Sequence, residues 1–235
     1  MTLTLITIIK CLAAILVALF AGNGAVYFFN KMPGKWLVDY GQEPDEELAH
    51  PTVQRIRSYP WKYVFTIFFV IIAIKMVMWD YRFAAAAIIA VWTLLEMSIA
   101  DIKYRIVPDQ LIMVLAVSAL GFIPFHNSWK DCIFGALIGF GVMFLVALIG
   151  KLAYKKEALG GGDIKLFAAL GLVLGVGGVI GVFIMSTILS AAHFVILLIM
   201  KKIKKDDTMP MVPYIAAAAT IYLVLLWTYG QVIYL

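Results

Sequence analysis

Two carboxylates stand where apolar runs meet polar loops. Asp163 follows Gly160-Gly161-Gly162 and precedes the apolar run Leu166 to Val182. Asp101 closes another run, in Ala100-Asp101-Ile102-Lys103-Tyr104-Arg105-Ile106-Val107-Pro108-Asp109. A carboxylate beside a membrane-spanning segment is expensive and marks a functional site by default. Two carboxylates facing one another share a proton and titrate as a pair. The ionised member takes a proton from water, and the water attacks a peptide carbonyl. The protonated member polarises that carbonyl and then helps the amine depart. Such an aspartyl dyad needs no metal, no nucleophilic Ser or Cys and no cofactor. Glycines 160–162 suit it, because residues without side chains let an extended substrate backbone approach. The sequence offers no rival set: His50, His126 and His193 are scattered, and HExxH, GxSxG and GK[ST] motifs are absent.

The elements that must position these residues are membrane helices. The 235 residues are 64% hydrophobic and 14% charged, too apolar for a soluble domain at roughly 50% and 25%. The expected fold is an all-α polytopic membrane protein with about eight transmembrane helices. The expected spans are Leu3–Phe29, Trp61–Trp79, Phe83–Ala100, the short Gln110–Pro124, Cys132–Leu152, Ile164 to about Leu174, Val179–Met200 and Met211–Leu235. Glycines 175, 177 and 178 mark a turn or kink between the sixth and seventh. The amino-terminal run lacks a basic start and a small-residue cleavage site, and reads as a retained span. Residues 31–60 read as a polar loop too short to bury a core of its own, with an acidic patch at Glu43, Asp45, Glu46 and Glu47. The single membrane domain, 1–235, then divides into this first cytoplasmic loop, 31–60, and a core, 83–235, carrying both aspartates.

Charge supports the layout. With the loop after the first span inside, 15 Lys and Arg residues fall on the cytoplasmic side and only Arg82 and Lys130 outside, leaving Lys10 and Lys75 within spans. That bias holds only if the chain reverses near Gly175. Asp101 and Asp163 then share the cytoplasmic face. The +5 formal charge is explained by these loops and calls for no nucleic acid. Cys11 and Cys132 form no CxxC pair, so no thiolate zinc site or disulfide framework is legible.

Each candidate also has a plainer reading. Asp163 could be a helix N-cap. Asp101 could be a loop charge paired with Lys103 or Arg105. Asp109 competes with Asp101 as the acid, although its position after Pro108 is that of a helix cap. Glu96, within the third span, either bonds a neighbouring helix or tunes the dyad. Lys103, Arg105 and Lys165 read as positive-inside anchors, the Lys201–Lys205 run as a solvated lipid-facing anchor, and His193 as a packing residue. Gly22, Asn23 and Asn30 read as helix-packing residues.

The motifs together resemble a known family. Gly160-Gly161-Gly162-Asp163 matches the GxGD motif of membrane aspartyl proteases, and with Lys165 it matches the GGGDxK motif of type IV prepilin peptidases. Asp101 with Val107-Pro108-Asp109 and Leu111 resembles their first aspartate motif. Met209-Pro210-Met211-Val212-Pro213-Tyr214 resembles a motif before their last span, with Val212 replacing a glycine, and Gly22-Asn23 through Asn30-Lys31-Met32-Pro33 is a degenerate version of their amino-terminal one. The resemblance implies a multi-pass protein of the cytoplasmic membrane whose active site faces the cytoplasm. It implies cleavage of the leader from prepilins or pseudopilins, with Asp101 and Asp163 catalytic and Gly160, Gly161, Gly162, Lys103 and Lys165 shaping the site or binding substrate. Many members also methylate the new amino terminus with S-adenosylmethionine and carry two CxxC pairs that bind zinc in the first loop. Residues 31–60 contain no Cys, so zinc is not expected there and S-adenosylmethionine is expected only if methyl transfer is retained. The alternative from another class is a small proton-coupled transporter with Asp101, Asp163 and Glu96 as a relay.

Overall fold

In a computed structural model, described for residues 2–39, 41–45, 48, 50, 53–154, 160–204 and 208–230, the described chain is helices and turns with no strand. We name the helices α1 (Thr2–Lys31), α2 (Trp61–Trp79), α3 (Tyr81–Tyr104), α4 (Asp109–Ser118), α5 (Trp129–Tyr154), α6 (Gly161–Ile199) and α7 (Val212–Ile221). A π turn, Tyr222–Leu226, carries α7 into a short α8, Trp227–Gly230. The all-α membrane architecture is as expected. By length and composition α1, α2, α3, α5 and α6 can cross a membrane, five helices against the eight spans expected. The difference is physical: α4 and α7 are short, and the sixth and seventh expected spans are two arms of α6.

Those arms fold back on one another. Phe167 and Phe183 lie 16 positions apart, about 24 Å on a straight helix, yet their ring centroids are 6.0 Å apart. The reversal is at Gly175, whose φ of 70° lies outside the helical region. Glycine is required there twice over, since a Cβ would also meet Asp131 Oδ2 at 2.0 Å. The freed backbone groups find partners: Asp131 accepts from the Val176 amide at 3.2 Å, and His126 Nε2 meets the Val173 carbonyl at 3.0 Å. Asp131 and His126 are themselves 3.2 Å apart. Glycines bring α5 into backbone contact with this hairpin, as small residues do in membranes. A Cβ on Gly135 would meet the Gly171 carbonyl at 2.4 Å, and one on Gly139 the Phe167 carbonyl at 2.2 Å.

Helix α3 is the central column. Of its most apolar window 72% is buried, against 17%, 28% and 22% for α1, α2 and α5. The outer helices turn Leu5, Ile8, Leu12, Ile67, Ile71, Phe134 and Leu145 outward, which is the surface a bilayer solvates. At one end of α3, Phe83 packs among Trp79, Phe122, Phe125 and Trp227. Asp101 lies at the other end, about 27 Å away along the helix.

The loop after α1 is packed onto the helices. Met32, Leu37 and Ile56 are buried and join the main core. Asn30 reads the backbone of Ile56 in both directions, at 3.0 and 2.8 Å. Arg55, only 7% exposed, donates to the carbonyls of Phe29, Met32 and Leu48. The loop does not bury a core of its own; it is docked onto that of the helices. In the acidic patch Glu43 and Asp45 are exposed, while Glu46 and Glu47, like Lys155, Lys156 and Lys205, lie outside the described residues.

Candidate active site

Three helix ends meet at one end of the bundle. Helix α3 brings Asp101 in its last turn, and ends at Arg105, held in the left-handed region at φ 58°, with its amide on the Asp101 carbonyl. That turn sends Ile106–Pro108 back toward α6. Here Val107 settles on Gly162: a Cβ at Gly162 would meet the Val107 Cβ at 2.9 Å and Cγ2 at 3.2 Å. The contact fixes the residue immediately before Asp163. Gly160 and Gly161 are different, since a Cβ would meet only Asp163 Oδ2 at 3.9 Å in one case and nothing within 4 Å in the other. Of the three glycines one is packed and two border open space.

Asp163 lies three residues into α6. The N-cap is Gly160, which makes no side-chain cap and whose carbonyl accepts from the Asp163 amide at 3.1 Å. The reading of Asp163 as an N-cap is therefore set aside. Asp163 is half-buried and lies within range of the Asp101 charge. Asp101, 7% exposed, has a partner of its own: Oδ2 accepts from the Val212 amide at 2.9 Å. Val212 is the first residue of α7, where amides lack helical acceptors and the helix dipole is positive. Pro213 beside it supplies no amide, so Asp101 takes the donor the helix leaves free. Among the described residues no hydrogen bond or ion pair joins Asp101 to the Lys103 or Arg105 side chains; Arg105 acts on Asp101 through its charge alone and donates to the Thr208 carbonyl at 3.1 Å.

The remaining candidates divide. Lys165 reaches both oxygens of Asp109 at 2.9 Å, joining α6 to the start of α4. Asp109 is the first residue of α4 after the N-cap Pro108; it is no cap but the acid half of this ion pair. Lys103, although exposed, donates to the Arg55 carbonyl, tying the first loop to the helix of Asp101. Glu96 neither bonds a neighbouring helix nor touches the dyad: it is fully buried, and both oxygens lack a hydrogen-bond partner among the described residues. His193 packs its ring on Tyr214 and meets its hydroxyl. Sequence reasoning missed the Val212 amide; the signal available was a motif with Pro213 at the start of the last apolar run, the pattern of a helix amino terminus. No group of three metal-ligating side chains occurs among the described residues.

Comparison with known proteins bears on the same segment. Residues 88–196 match the type IV leader peptidase family. A prepilin leader peptidase/N-methyltransferase from Pseudomonas aeruginosa is 33% identical over 158 residues, 64% of this chain and 53% of that protein. One of the same name from Stutzerimonas stutzeri is 31% identical over 156 residues, 64% of this chain and 53% of its own length. Another from Bacillus subtilis is 28% identical over 147 residues, 62% of this chain and 56% of its own length. The chain thus spans about half the length of the curated relatives it matches. No solved structure matches it. The matched segment holds both aspartates, the Asp109–Lys165 pair and most of the α6 hairpin, and through that segment the chain is similar to the type IV leader peptidase family.

Proposed function

We propose that this chain is a membrane aspartyl endopeptidase that removes the leader peptide of type IV prepilins or pseudopilins at the cytoplasmic face of the cell membrane. Residues 83–235 form its catalytic core. The observation that supports the reading is that Asp163 lies within range of the Asp101 charge, with both residues inside the segment matching the leader peptidase family. The two carboxylates share one proton. The ionised one abstracts a proton from water, whose oxygen bonds to the scissile carbonyl carbon. The protonated one donates to the carbonyl oxygen, and a proton passes to the departing nitrogen as the C–N bond breaks. The open space at Gly160 and Gly161 receives the substrate backbone. The α7 amide on Asp101 and the Asp109–Lys165 pair hold the two acids in register.

The names of the relatives include N-methyltransferase, an activity that would use S-adenosylmethionine. The two described clefts do not fit that cofactor. One is lined by apolar side chains of α5 and α6 such as Ile138, Val142 and Phe183, and the other lies by Trp79, at the end of the bundle away from the dyad. Neither offers a carboxylate for a ribose or an amino group, so methylation enters only as a readout.

The test is cleavage of a leader-bearing prepilin in membranes containing wild type, Asp101→Asn, Asp163→Asn or Asp109→Asn, read by mass spectrometry of the product. Loss of cleavage in the Asp101 and Asp163 variants, with residual cleavage in the Asp109 variant, supports the dyad. Normal cleavage by either of the first two overturns it. A product heavier by one methyl group would establish methyl transfer.

A further inference from the structure

At the end of the bundle away from the aspartates, a cleft of about 370 Å³ opens between α2 and the π turn after α7. Its lining includes Lys75, Trp79, Leu223, Trp227 and Thr228. Three observations set it apart from ordinary lipid-facing surface. The first is Lys75, an exposed ammonium inside a helix otherwise apolar enough to span a bilayer. Among the described residues no carboxylate pairs with it. The nearest in sequence, Asp80, is occupied in capping α3, accepting from the amides of Arg82 and Phe83 at 2.6 and 3.1 Å. A lysine in such a helix extends toward the interface and seeks an anion there. Lys75 stands four residues before the end of α2 at Trp79, about 6 Å along the axis, within reach of headgroup depth.

The second observation is Trp227. It is 2% exposed, and its Nε1 has no hydrogen-bond partner among the described residues. A buried indole N–H normally finds an acceptor. Its ring is wedged among Phe83, Phe122, His126 and Tyr222, so it does not turn away to find one. The third is the π turn itself, Tyr222–Leu226, which supplies Leu223, Val224 and Leu225 to the cleft. Such turns interrupt the helical hydrogen-bond pattern and recur at functional sites.

An ammonium, an indole N–H and a hydroxyl around one cleft are a donor set without an acceptor. We propose that the cleft binds a phosphate group, that of a phospholipid headgroup in the leaflet away from the aspartates. Lys75 supplies the charge, Trp227 and Thr228 donate, and the acyl chains run down the exposed side chains Ile71 and Met78 of α2. The bound lipid joins α2 to the carboxy-terminal helix and stabilises their packing. This site lies about 27 Å from the dyad and is independent of the peptidase reading.

The experiment uses the full chain, purified in a neutral detergent and unfolded thermally with added phosphatidylglycerol, phosphatidylcholine or inorganic phosphate. Wild type, Lys75→Met and Trp227→Phe are compared, each against its own lipid-free midpoint; the phenylalanine keeps an aromatic ring in place, removes the N–H donor and leaves a small packing loss that the lipid-free midpoint records. Phosphatidylglycerol, whose headgroup has no ammonium to compete with Lys75, is expected to raise the wild-type midpoint by on the order of 5 °C. Phosphatidylcholine should raise it less. The rise should vanish in Lys75→Met and shrink in Trp227→Phe, with prepilin cleavage unaltered in both. An equal rise with millimolar inorganic phosphate, and none with the lipid, would move the source to free phosphate and overturn the lipid assignment. No rise with any of the three, or an undiminished rise in both variants, overturns the site altogether.

Discussion

Replacing Gly162 by Ala tests how the glycine triplet serves the site. The added Cβ would lie 2.9 Å from the Val107 Cβ and 3.2 Å from its Cγ2. Ordinary carbon contacts need about 3.8 Å, so helix and loop must part by nearly 1 Å. Overpacking of this kind costs about 1–3 kcal/mol, partly offset by the roughly 1 kcal/mol that Ala gains over Gly in a helix. Net stability should fall by no more than about 2 kcal/mol, leaving the protein folded. Asp163 is the next residue, and a displacement near 1 Å at a catalytic group lowers turnover by about 100-fold. Gly161→Ala meets nothing within 4 Å; it should preserve or raise stability, retain kcat and increase KM if substrate backbone occupies the space. The assay is prepilin cleavage with kcat and KM determined separately, alongside thermal unfolding. Val107→Ala in the Gly162→Ala background should restore part of the lost kcat, because it removes the Cγ2 contact. Wild-type kcat in Gly162→Ala, or an equal loss of kcat in Gly161→Ala, would refute the division of the triplet into one packed and two open glycines.

Three further outcomes follow from contacts outside the triplet. Reversing the Asp109–Lys165 pair in the double variant Asp109→Lys/Lys165→Asp should recover activity lost in each single variant; the pair is half-exposed, so the change in unfolding free energy should stay within about 1 kcal/mol, and single variants as active as wild type would exclude a positioning role. Arg55→Ala strands the carbonyls of Phe29, Met32 and Leu48; a loss on the order of 3 kcal/mol is expected, with protease cuts appearing first in residues 32–56, and an unchanged digestion pattern would show that the loop is held otherwise. Gly175→Ala combines φ 70° with a Cβ at 2.0 Å from Asp131 Oδ2 and should abolish accumulation of folded protein, whereas Gly141→Ala, with nothing within 4 Å of its Cβ, should accumulate normally.

The parts of the site legible in the sequence are those that depend on side-chain type at short range. Asp101 and Asp163 stood out because a carboxylate at a membrane edge is costly wherever it falls. The basic loop after the third span and the glycine triplet were readable as local breaks, although the loop expected from Asp101 to Pro108 begins only at Arg105, because Asp101 lies in the last turn of α3. What the sequence concealed is pairing at a distance. Lys165 meets Asp109 across 56 positions and the Val212 amide meets Asp101 across 111. A backbone donor has no residue type to betray it, and a lysine in a cytoplasmic loop looks the same whether it anchors in headgroups or completes an ion pair. The docking of the first loop was hidden for a related reason: its length forbids a core of its own, as expected, but Leu37 and Ile56 join that of the helices.

Gly175 shows the limit of hydropathy most directly. The segment Gly161–Ile199 is apolar throughout, and apolarity alone cannot tell one long tilted helix from two short arms. The arm Gly161–Leu174 is shorter than the roughly 20 residues a perpendicular crossing requires, so length argues against a reversal there. Charge argued for it, because the 15-to-two bias of basic residues collapses unless the chain turns back. The contact of Phe167 with Phe183 sides with charge. The short arm is tolerable because its far end is not left in lipid: Asp131 and His126 supply partners to the backbone groups that the turn releases, as any break at membrane depth demands. The same reversal has a consequence for catalysis. An arm begun by Asp163, packed through glycine against α5 and returned immediately by a pinned turn, is fixed at both ends. In the proposed mechanism, the carboxylate at its start therefore has a rigid base from which to work with Asp101.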